Sequence, residues 1–319
     1  MERHYVQSIP CLYRFFYKLK SCILKYHGYT NQLPDKATWL TSSELQGKCM
    51  NPIPEPKWPE RIICLTEETT EALYLMEEDH RIIGISAYTM RPERARKEKT
   101  KVSAYITART EKILALKPDL VLAFSDMQAD IVADLIKEGI QVHCFNHRSI
   151  SETLQMIRTL SGLIGKPEKG EKLVTELQNN LTKIQQQAEK LSVRPKVYFE
   201  EWFDPIITGI GWVSELIEIA GGIDCYQEFS TQSLAKNRIV ANASEVIAKQ
   251  PDIYIASWCG RKFDQDKVTS RAGWQAIPAI RNGDIYEVNS TDILQPGPAA
   301  LTDGVKQLAE IIQQWAERR

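Results

Sequence analysis

The pattern of apolar and polar positions predicts two similar α/β halves in this chain. The end of a short helix, a Pro-Asp pair and a wholly apolar run occur twice, at residues 115–123 and at residues 248–256. Each apolar run is too short for a helix and suits a strand that is covered on both faces, as in a parallel sheet. The spacing between the two copies is far longer than a solenoid repeat, which favours duplication of a whole lobe.

Strands and helices alternate around these runs. In the first half, the pattern predicts strands at 61–65, 81–86, 120–124 and 140–145 and helices at 67–76, 110–116 and 129–138. In the second half, it predicts strands at 196–200, 253–257 and 285–288 and helices at 213–220 and 243–249. We therefore expect an α/β fold of two Rossmann-like lobes, each a parallel sheet flanked by helices, with a ligand cleft between them.

A helical connector is predicted between the two lobes. Ser151 can cap a first helix, and apolar positions at helical spacing then predict a long helix over residues 168–191, about 36 Å in length. Such a helix would join the lobes as a stiff strut and permit only small closure. The expected organisation is an N-terminal extension (1–57), a first lobe (58–149), the connector (150–193) and a second lobe (194–319).

Composition and charge narrow the function classes. A chain of 319 residues with 43% apolar and 25% charged residues can build about two cored domains. A net charge of −1 argues against a nucleic-acid-binding protein, which needs a basic face to replace the counterions of phosphates. No apolar run fits a signal peptide, none precedes Cys49 as a lipoprotein signal requires, and none spans a bilayer.

Aromatic residues cluster where loops follow the predicted strands. Ligands of parallel sheets bind beyond the carboxyl ends of the strands, and flat rings suit a large, partly apolar ligand. The ligand-binding candidates are Tyr88, Tyr105, Phe124, Trp202, Phe203, Trp212 and Trp258, together with Asp292. Any single aromatic at a strand end is more often part of the core, so the prediction depends on the whole set.

The sequence offers little catalytic or metal-binding chemistry. It has no nucleophile elbow, P-loop or dinucleotide-binding glycine fingerprint after a first strand, and its seven cysteines contain no CxxC pair. His143 and His147 lack a nearby acidic third ligand and form a weak metal site. We therefore expect a protein that is not an enzyme, with no catalytic cofactor and no bound structural metal.

Two glutamates, one in each half, are candidates for docking a partner. Glu111 opens a predicted helix of the first lobe, and Glu215 lies near the start of a predicted helix of the second lobe. The helix dipole alone accounts for carboxylates at these positions. If exposed, they can also pair with arginines of a partner at a fixed separation.

Several segments resemble the cobalamin-binding proteins of ABC importers, within the superfamily of helical-backbone metal receptors, also called class III substrate-binding proteins. The resemblance lies in residues 61–65, 69–73, 83–88 and 110–121 of the first half and in residues 212–222, 295–298 and 303–304 of the second. It covers about residues 58–315.

The resemblance implies a monomeric receptor that binds a corrinoid between its lobes and delivers it to the permease of an ABC transporter. Tyr88, Tyr105, Phe124 and Trp202 fall where aromatics line the corrin pocket. Glu111 and Glu215 fall where one glutamate per lobe docks onto permease arginines. The family implies a periplasmic or cell-surface location, while the missing signal peptide and lipobox leave a cytoplasmic location open.

Two alternatives remain open at this point. The same fold can hold a ferric siderophore or haem, for which basic residues in the cleft are needed, and the candidates are Arg91, Arg148, Arg261 and Arg271. A cytosolic corrinoid sensor or a corrinoid-processing enzyme is the second alternative. The missing signal favours the sensor, and the missing catalytic motifs argue against the enzyme.

Overall fold

Two sheets organise the protein. The structure is a computed structural model that describes residues 55–319, and Lys57–Arg319 form one compact unit. The extension predicted over residues 1–57 therefore lies almost entirely outside the described residues. Within the described part of the chain, no helix has the length and apolar character needed to cross a membrane.

The first lobe is a six-stranded sheet. Its strands are β1 (Ile62–Cys64), β2 (Ile82–Ser86), β3 (Thr100–Ala104), β4 (Thr107–Ala108), β5 (Leu120–Phe124) and β6 (Val142–Phe145). Its helices are α1 (Glu67–Leu75), α2 (Glu93–Glu98), α3 (Thr110–Ala115) and α4 (Ala129–Lys137). The strand order is β4-β3-β2-β1-β5-β6, and every pair is parallel except β3 with β4.

The second lobe has a smaller sheet. Its strands are β7 (Lys196–Phe203), β8 (Ile206–Thr208), β9 (Ile223–Asp224), β10 (Ile253–Ala256) and β11 (Ile285–Glu287). Their order is β11-β10-β7-β8, with β9 also pairing β7, and only β7 with β8 is antiparallel. The accompanying helices are α7 (Gly211–Ile219), α8 (Ala243–Lys249), α9 (Gln265–Thr269), α10 (Pro278–Asn282), α11 (Ser290–Ile293) and α12 (Val305–Ala316). The predicted fold class of two parallel-rich lobes flanked by helices is confirmed.

The two Pro-Asp turns are structurally equivalent. The Asp119 carboxylate accepts the backbone N–H of Arg61 at 2.9 Å, and the Asp252 carboxylate accepts that of Lys196 at 2.9 Å. Each aspartate thus anchors the start of the neighbouring strand, β1 in one lobe and β7 in the other. Two residues before each aspartate, Lys117 and Gln250 both have a φ of 49°, so the repeated phrase encodes the same turn twice.

Two connector helices join the lobes, α5 (Ile150–Leu163) and α6 (Pro167–Ala188). The 22 residues of α6 give it a length of about 33 Å at 1.5 Å per residue. The predicted cap of α5 was wrong by two residues. Ser149, and not Ser151, accepts the backbone N–H of Glu152, while the Glu152 side chain accepts the N–H of Ser149. The capping box needs Glu three residues after the cap, and only Ser149 has it.

One apolar core runs through both lobes and the connector. Leu173, Leu177 and Leu181 of α6 belong to the same buried cluster as Leu122 of the first sheet and Phe199 of the second. Helix α12 packs into it through Val305, Leu308 and Ile312. Because close-packed interiors transmit strain and resist deformation, we expect this shared core to limit movement of the lobes relative to each other.

Candidate functional site

The loops at the carboxyl ends of the two sheets face each other. Tyr105, in the turn between β3 and β4, lies close enough to both lobes for their ionisable groups to influence the pKa of its phenol: Glu68 and Arg148 of the first lobe, and Cys259 and Glu201 of the second. Burial raises the pKa of the Tyr105 phenol above its ordinary value, and Glu68 adds to the shift. Tyr105 therefore lies near residues of both lobes.

Gln128 braces the wall formed by the first lobe. Its side-chain oxygen accepts the N–H of Phe124 at 3.0 Å, and its side-chain nitrogen donates to the Tyr105 carbonyl at 2.6 Å. The turn after β5 is tight, because Ser125 has a φ of 64°, a conformation that non-glycine residues adopt at a cost. These contacts fix the two loops that carry Tyr105 and Phe124.

Arg148 covers the Phe124 ring. Its guanidinium carbon lies 4.7 Å from the ring centroid, and the His147 ring lies 5.0 Å from the same ring. His147 Nε2 is 2.7 Å from the Pro296 carbonyl of the second lobe, and burial lowers the pKa of His147 to about 4. The neutral imidazole therefore donates a hydrogen bond from one lobe to the other at neutral pH.

Three rings form an aromatic shelf on the second lobe: Trp202, Phe203 and Trp258. Phe203 lies 5.8 Å from Trp202 and 4.9 Å from Trp258, centroid to centroid. Trp202 and Phe203 are half-buried at the end of β7, whereas Trp258 is buried and donates its indole N–H to Glu200. The exposed surface of the aromatic shelf therefore comes from Trp202 and Phe203.

A buried ion pair holds two residues of the aromatic shelf in place. Glu200 is fully buried, and Arg271 holds it through two hydrogen bonds of 2.6 and 3.0 Å. Arg271 also donates to the carbonyl of Phe203 at 3.0 Å. One charged pair thus fixes the positions of both Phe203 and Trp258.

Three buried glutamates crowd the start of α1. Burial raises the pKa of Glu67 to about 8 and of Glu68 to about 7, and it also raises the pKa of Glu71. A loop of the second lobe covers them so closely that a side chain on Gly297 would lie 2.6 Å from the Glu68 Cβ atom. Glycine is therefore required at position 297.

Arg91 clasps the two lobes together. Its guanidinium donates to Glu71 at 2.9 Å in the first lobe, and to Asp292 at 3.1 Å and Asp303 at 2.6 Å in the second. The Glu71 carboxylate also accepts the N–H of Ala299 at 2.9 Å. Asp292, a predicted ligand-binding residue, is thus engaged in an inter-lobe ion pair.

The buried glutamates make stability depend on pH. A folded carboxyl that keeps its proton to higher pH than in the unfolded chain loses stability as the pH rises through its folded pKa, here between about pH 5 and pH 8. Glu68→Gln should equal the natural chain in stability near pH 4 and exceed it at pH 8. Denaturant unfolding across this range measures the difference. A pH profile identical to that of the natural chain would show that Glu68 is already ionised in the folded state.

The structure places the remaining predicted residues as follows. Tyr88 is exposed after β2, with 63% of its surface accessible. Trp212 is buried in the core shared by the lobes and donates its indole N–H to the Ile293 carbonyl at 2.9 Å. Its ring therefore offers a ligand little surface. Within residues 55–319, no group of three or more His, Cys, Asp or Glu side chains is arranged to hold a metal ion.

The two docking candidates differ in their surroundings. Glu111 is exposed in the first turn of α3. Glu215 is exposed on α7, but one carboxylate oxygen accepts the N–H of Ile150 at 2.7 Å, at the start of α5. Glu215 therefore also stabilises the junction between the second lobe and the connector.

The sequence did not predict the buried polar residues of the site. Glu68 was not predicted, although Thr66-Glu67-Glu68 directly after a buried strand is an unusual start for an interior helix. Gln128 was also missed, and its amide gave no sequence signal. Acidic residues such as Glu67 and Glu68 are typical of the solvent-exposed first turn of a helix. A charge pattern alone does not show that they are buried.

Comparison with known proteins agrees with this architecture. A family model described as periplasmic binding protein matches residues 62–291. The chain belongs to the periplasmic binding protein family. Relatives of this periplasmic binding protein include the vitamin B12-binding protein of Vibrio campbellii, 30% identical over 82% of this chain and 92% of the relative.

Two further similarities concern transport and fold. The uncharacterised ABC transporter substrate-binding lipoprotein YvrC of Bacillus subtilis is 29% identical over 80% of this chain and 81% of that protein. The apo structure of the periplasmic haem-binding protein RhuT from Roseiflexus sp. RS-1 superposes with a TM-score of 0.68 at 22% identity, covering 80% of this chain and 99% of that one. This periplasmic binding protein thus shares its fold with receptors of different metal-chelate ligands.

Proposed function

We propose that this protein binds a corrinoid of the cobalamin type in the cleft between its lobes and delivers it to the permease of an ABC importer. The observation that carries the proposal is the presence of aromatic rings at neighbouring strand ends of both lobes: Tyr105 of the first lobe, whose phenol pKa is influenced by Glu201 of the second, and Trp202 with Phe203 beside Glu201. Large rings give a flat ligand wide apolar contact at little cost in side-chain entropy. The similarity to a vitamin B12-binding protein supports the same ligand class.

The charges of the cleft favour a corrinoid over a ferric siderophore. Of the four arginines named for a siderophore, Arg91 is paired with Glu71, Asp292 and Asp303, and Arg271 is paired with Glu200. Arg148 lies 3.7 Å from Asp126. A strongly anionic chelate would have to compete with these carboxylates, and withdrawing Arg271 from the fully buried Glu200 costs several kcal/mol.

Haem is the second candidate ligand, because Arg148 and Arg261 lie beside aromatic rings, where their guanidinium groups can pair with the carboxylates of a flat macrocycle.

A binding experiment with a panel of ligands distinguishes a corrinoid receptor from a haem receptor. The full chain is incubated with cyanocobalamin, haemin or a ferric hydroxamate siderophore, and visible absorbance is followed through gel filtration. We expect one cyanocobalamin per chain to co-elute at micromolar concentration. Co-elution of haemin without cyanocobalamin would replace the corrinoid by haem.

We also propose that Glu111 and Glu215 form the contacts with the permease. Both carboxylates are exposed, one on each lobe, and the shared apolar core keeps the lobes at a fixed spacing. Fixed separation lets two charges engage two arginines at once with little loss of entropy. Substituting either glutamate removes a docking charge and leaves every aromatic ring in place, so docking and ligand binding can be tested by separate variants.

A further inference from the structure

Arg261 is a cation without a carboxylate partner at the edge of the aromatic shelf. Among the residues that the structure describes, Arg271 pairs with Glu200, Arg238 with Glu201, and Lys267 with Asp264, all in the second lobe. Arg261 forms no ion pair within residues 55–319 and is exposed. An uncompensated guanidinium beside a binding surface is available to an anionic group of a ligand.

Aromatic rings hold this cation in place. The Arg261 guanidinium carbon lies 4.8 Å from the centroid of Phe203 and 6.0 Å from that of Trp202. The ammonium of Lys267 lies 5.4 Å from the same Phe203 ring. A guanidinium on an aromatic face keeps its N–H donors free at the edge of its plane, where they can bind two oxygens of a phosphate.

The position of Arg261 is at the cleft and not on the outer surface of the lobe. It follows β10 at the carboxyl end of the second sheet, two residues after Cys259. Cys259 lies close enough to Tyr105 of the opposite lobe to influence the pKa of the Tyr105 phenol. A ligand that stacks on Trp202 and Phe203 therefore has Arg261 beside its edge.

We propose that Arg261, assisted by Lys267 on the same ring, is an anion subsite that binds the phosphodiester of the nucleotide loop of a complete cobalamin. This inference rests on the corrinoid function proposed above and extends it to ligand selection. The flat corrin is held by the rings, and the phosphodiester is the anionic group that projects from it. The subsite thus distinguishes a complete cobalamin from a corrinoid that lacks the loop.

Calorimetric titration of the full chain with cyanocobalamin and with dicyanocobinamide, which has no phosphodiester, tests the subsite. Arg261→Met keeps the apolar stem and removes the charge. We expect it to weaken cyanocobalamin binding about tenfold, equivalent to about 1.4 kcal/mol, and to change cobinamide binding less than about twofold. Added salt should narrow the gap between the natural chain and the variant, because an exposed charge pair is screened.

Lys262→Met is the matched control, since Lys262 is an exposed neighbour and, within residues 55–319, only Arg261 and Lys267 place a cation over the rings of the aromatic shelf. It should leave the binding of both ligands unchanged. Equal losses for both ligands in Arg261→Met, or no loss for either, would overturn the subsite while leaving corrinoid binding intact. A natural chain that binds neither ligand would overturn the proposed function and the subsite together.

Discussion

Arg271→Met is expected to lower the free energy of unfolding by about 3–5 kcal/mol. The substitution leaves Glu200 as an uncompensated charge in a fully buried position. Removing one partner of a buried pair costs far more than the pair contributes, because the remaining ion has lost its water and here keeps only the neutral donors Trp258 and Tyr198. Denaturant unfolding at neutral pH gives the value.

Two further variants isolate the cause. Combining Arg271→Met with Glu200→Gln removes the stranded charge and keeps an acceptor for the Trp258 indole, so most of the lost stability should return. Arg158→Met breaks a pair with the same two-bond geometry to Glu171, but on the surface, and should cause no measurable change. A double variant as unstable as Arg271→Met alone would show that packing, and not charge, is lost.

Trp202→Ala is expected to weaken cyanocobalamin binding by about 30- to 100-fold, or about 2–3 kcal/mol. Trp202 is the half-buried outer ring of the aromatic shelf, and its indole N–H donates to the Asp204 carbonyl, which fixes the ring in one orientation. Loss of a pre-organised aromatic contact removes both apolar area and the entropic advantage of a rigid wall. Calorimetry or fluorescence titration measures the change.

Trp58→Ala is the control for this experiment. Trp58 is also a partly exposed tryptophan, but it packs against Gly165 at the junction of the connector helices, away from the cleft. It should leave the affinity unchanged. If Trp202→Ala retained the affinity of the natural chain, the ligand would have to bind elsewhere on the protein.

The sequence predicted the central strands well, because wholly apolar runs bounded by turns have few alternatives. Strand β5 and helix α8 have the predicted bounds, and the two Pro-Asp turns are equivalent in the structure. The strands β3, β4, β8 and β9, at or next to the edges of the two sheets, were missed. They are short and polar or irregular, and pairing at a sheet edge leaves no clear periodic pattern in the sequence.

The sequence predicted aromatic rings at the strand ends but not the charged residues packed around them. Tyr105 and Trp202 could be assigned to the cleft because loops after parallel strands converge there. Buried Trp212 donates its indole N–H to Ile293, and buried Trp258 donates its own to Glu200. No local sequence pattern predicts these two hydrogen bonds. The Arg91 clasp joins residues more than 200 positions apart, 201 in the case of Asp292, and only the folded chain brings them together.

A crystal structure of the full chain grown with cyanocobalamin tests the central claim most directly. The claim predicts density for one corrin between the lobes, with its faces against Tyr105 and the exposed rings of the aromatic shelf. The buried core common to both lobes should shift little on binding. Density at another surface, or a cleft that stays empty at saturating cyanocobalamin, would contradict the account.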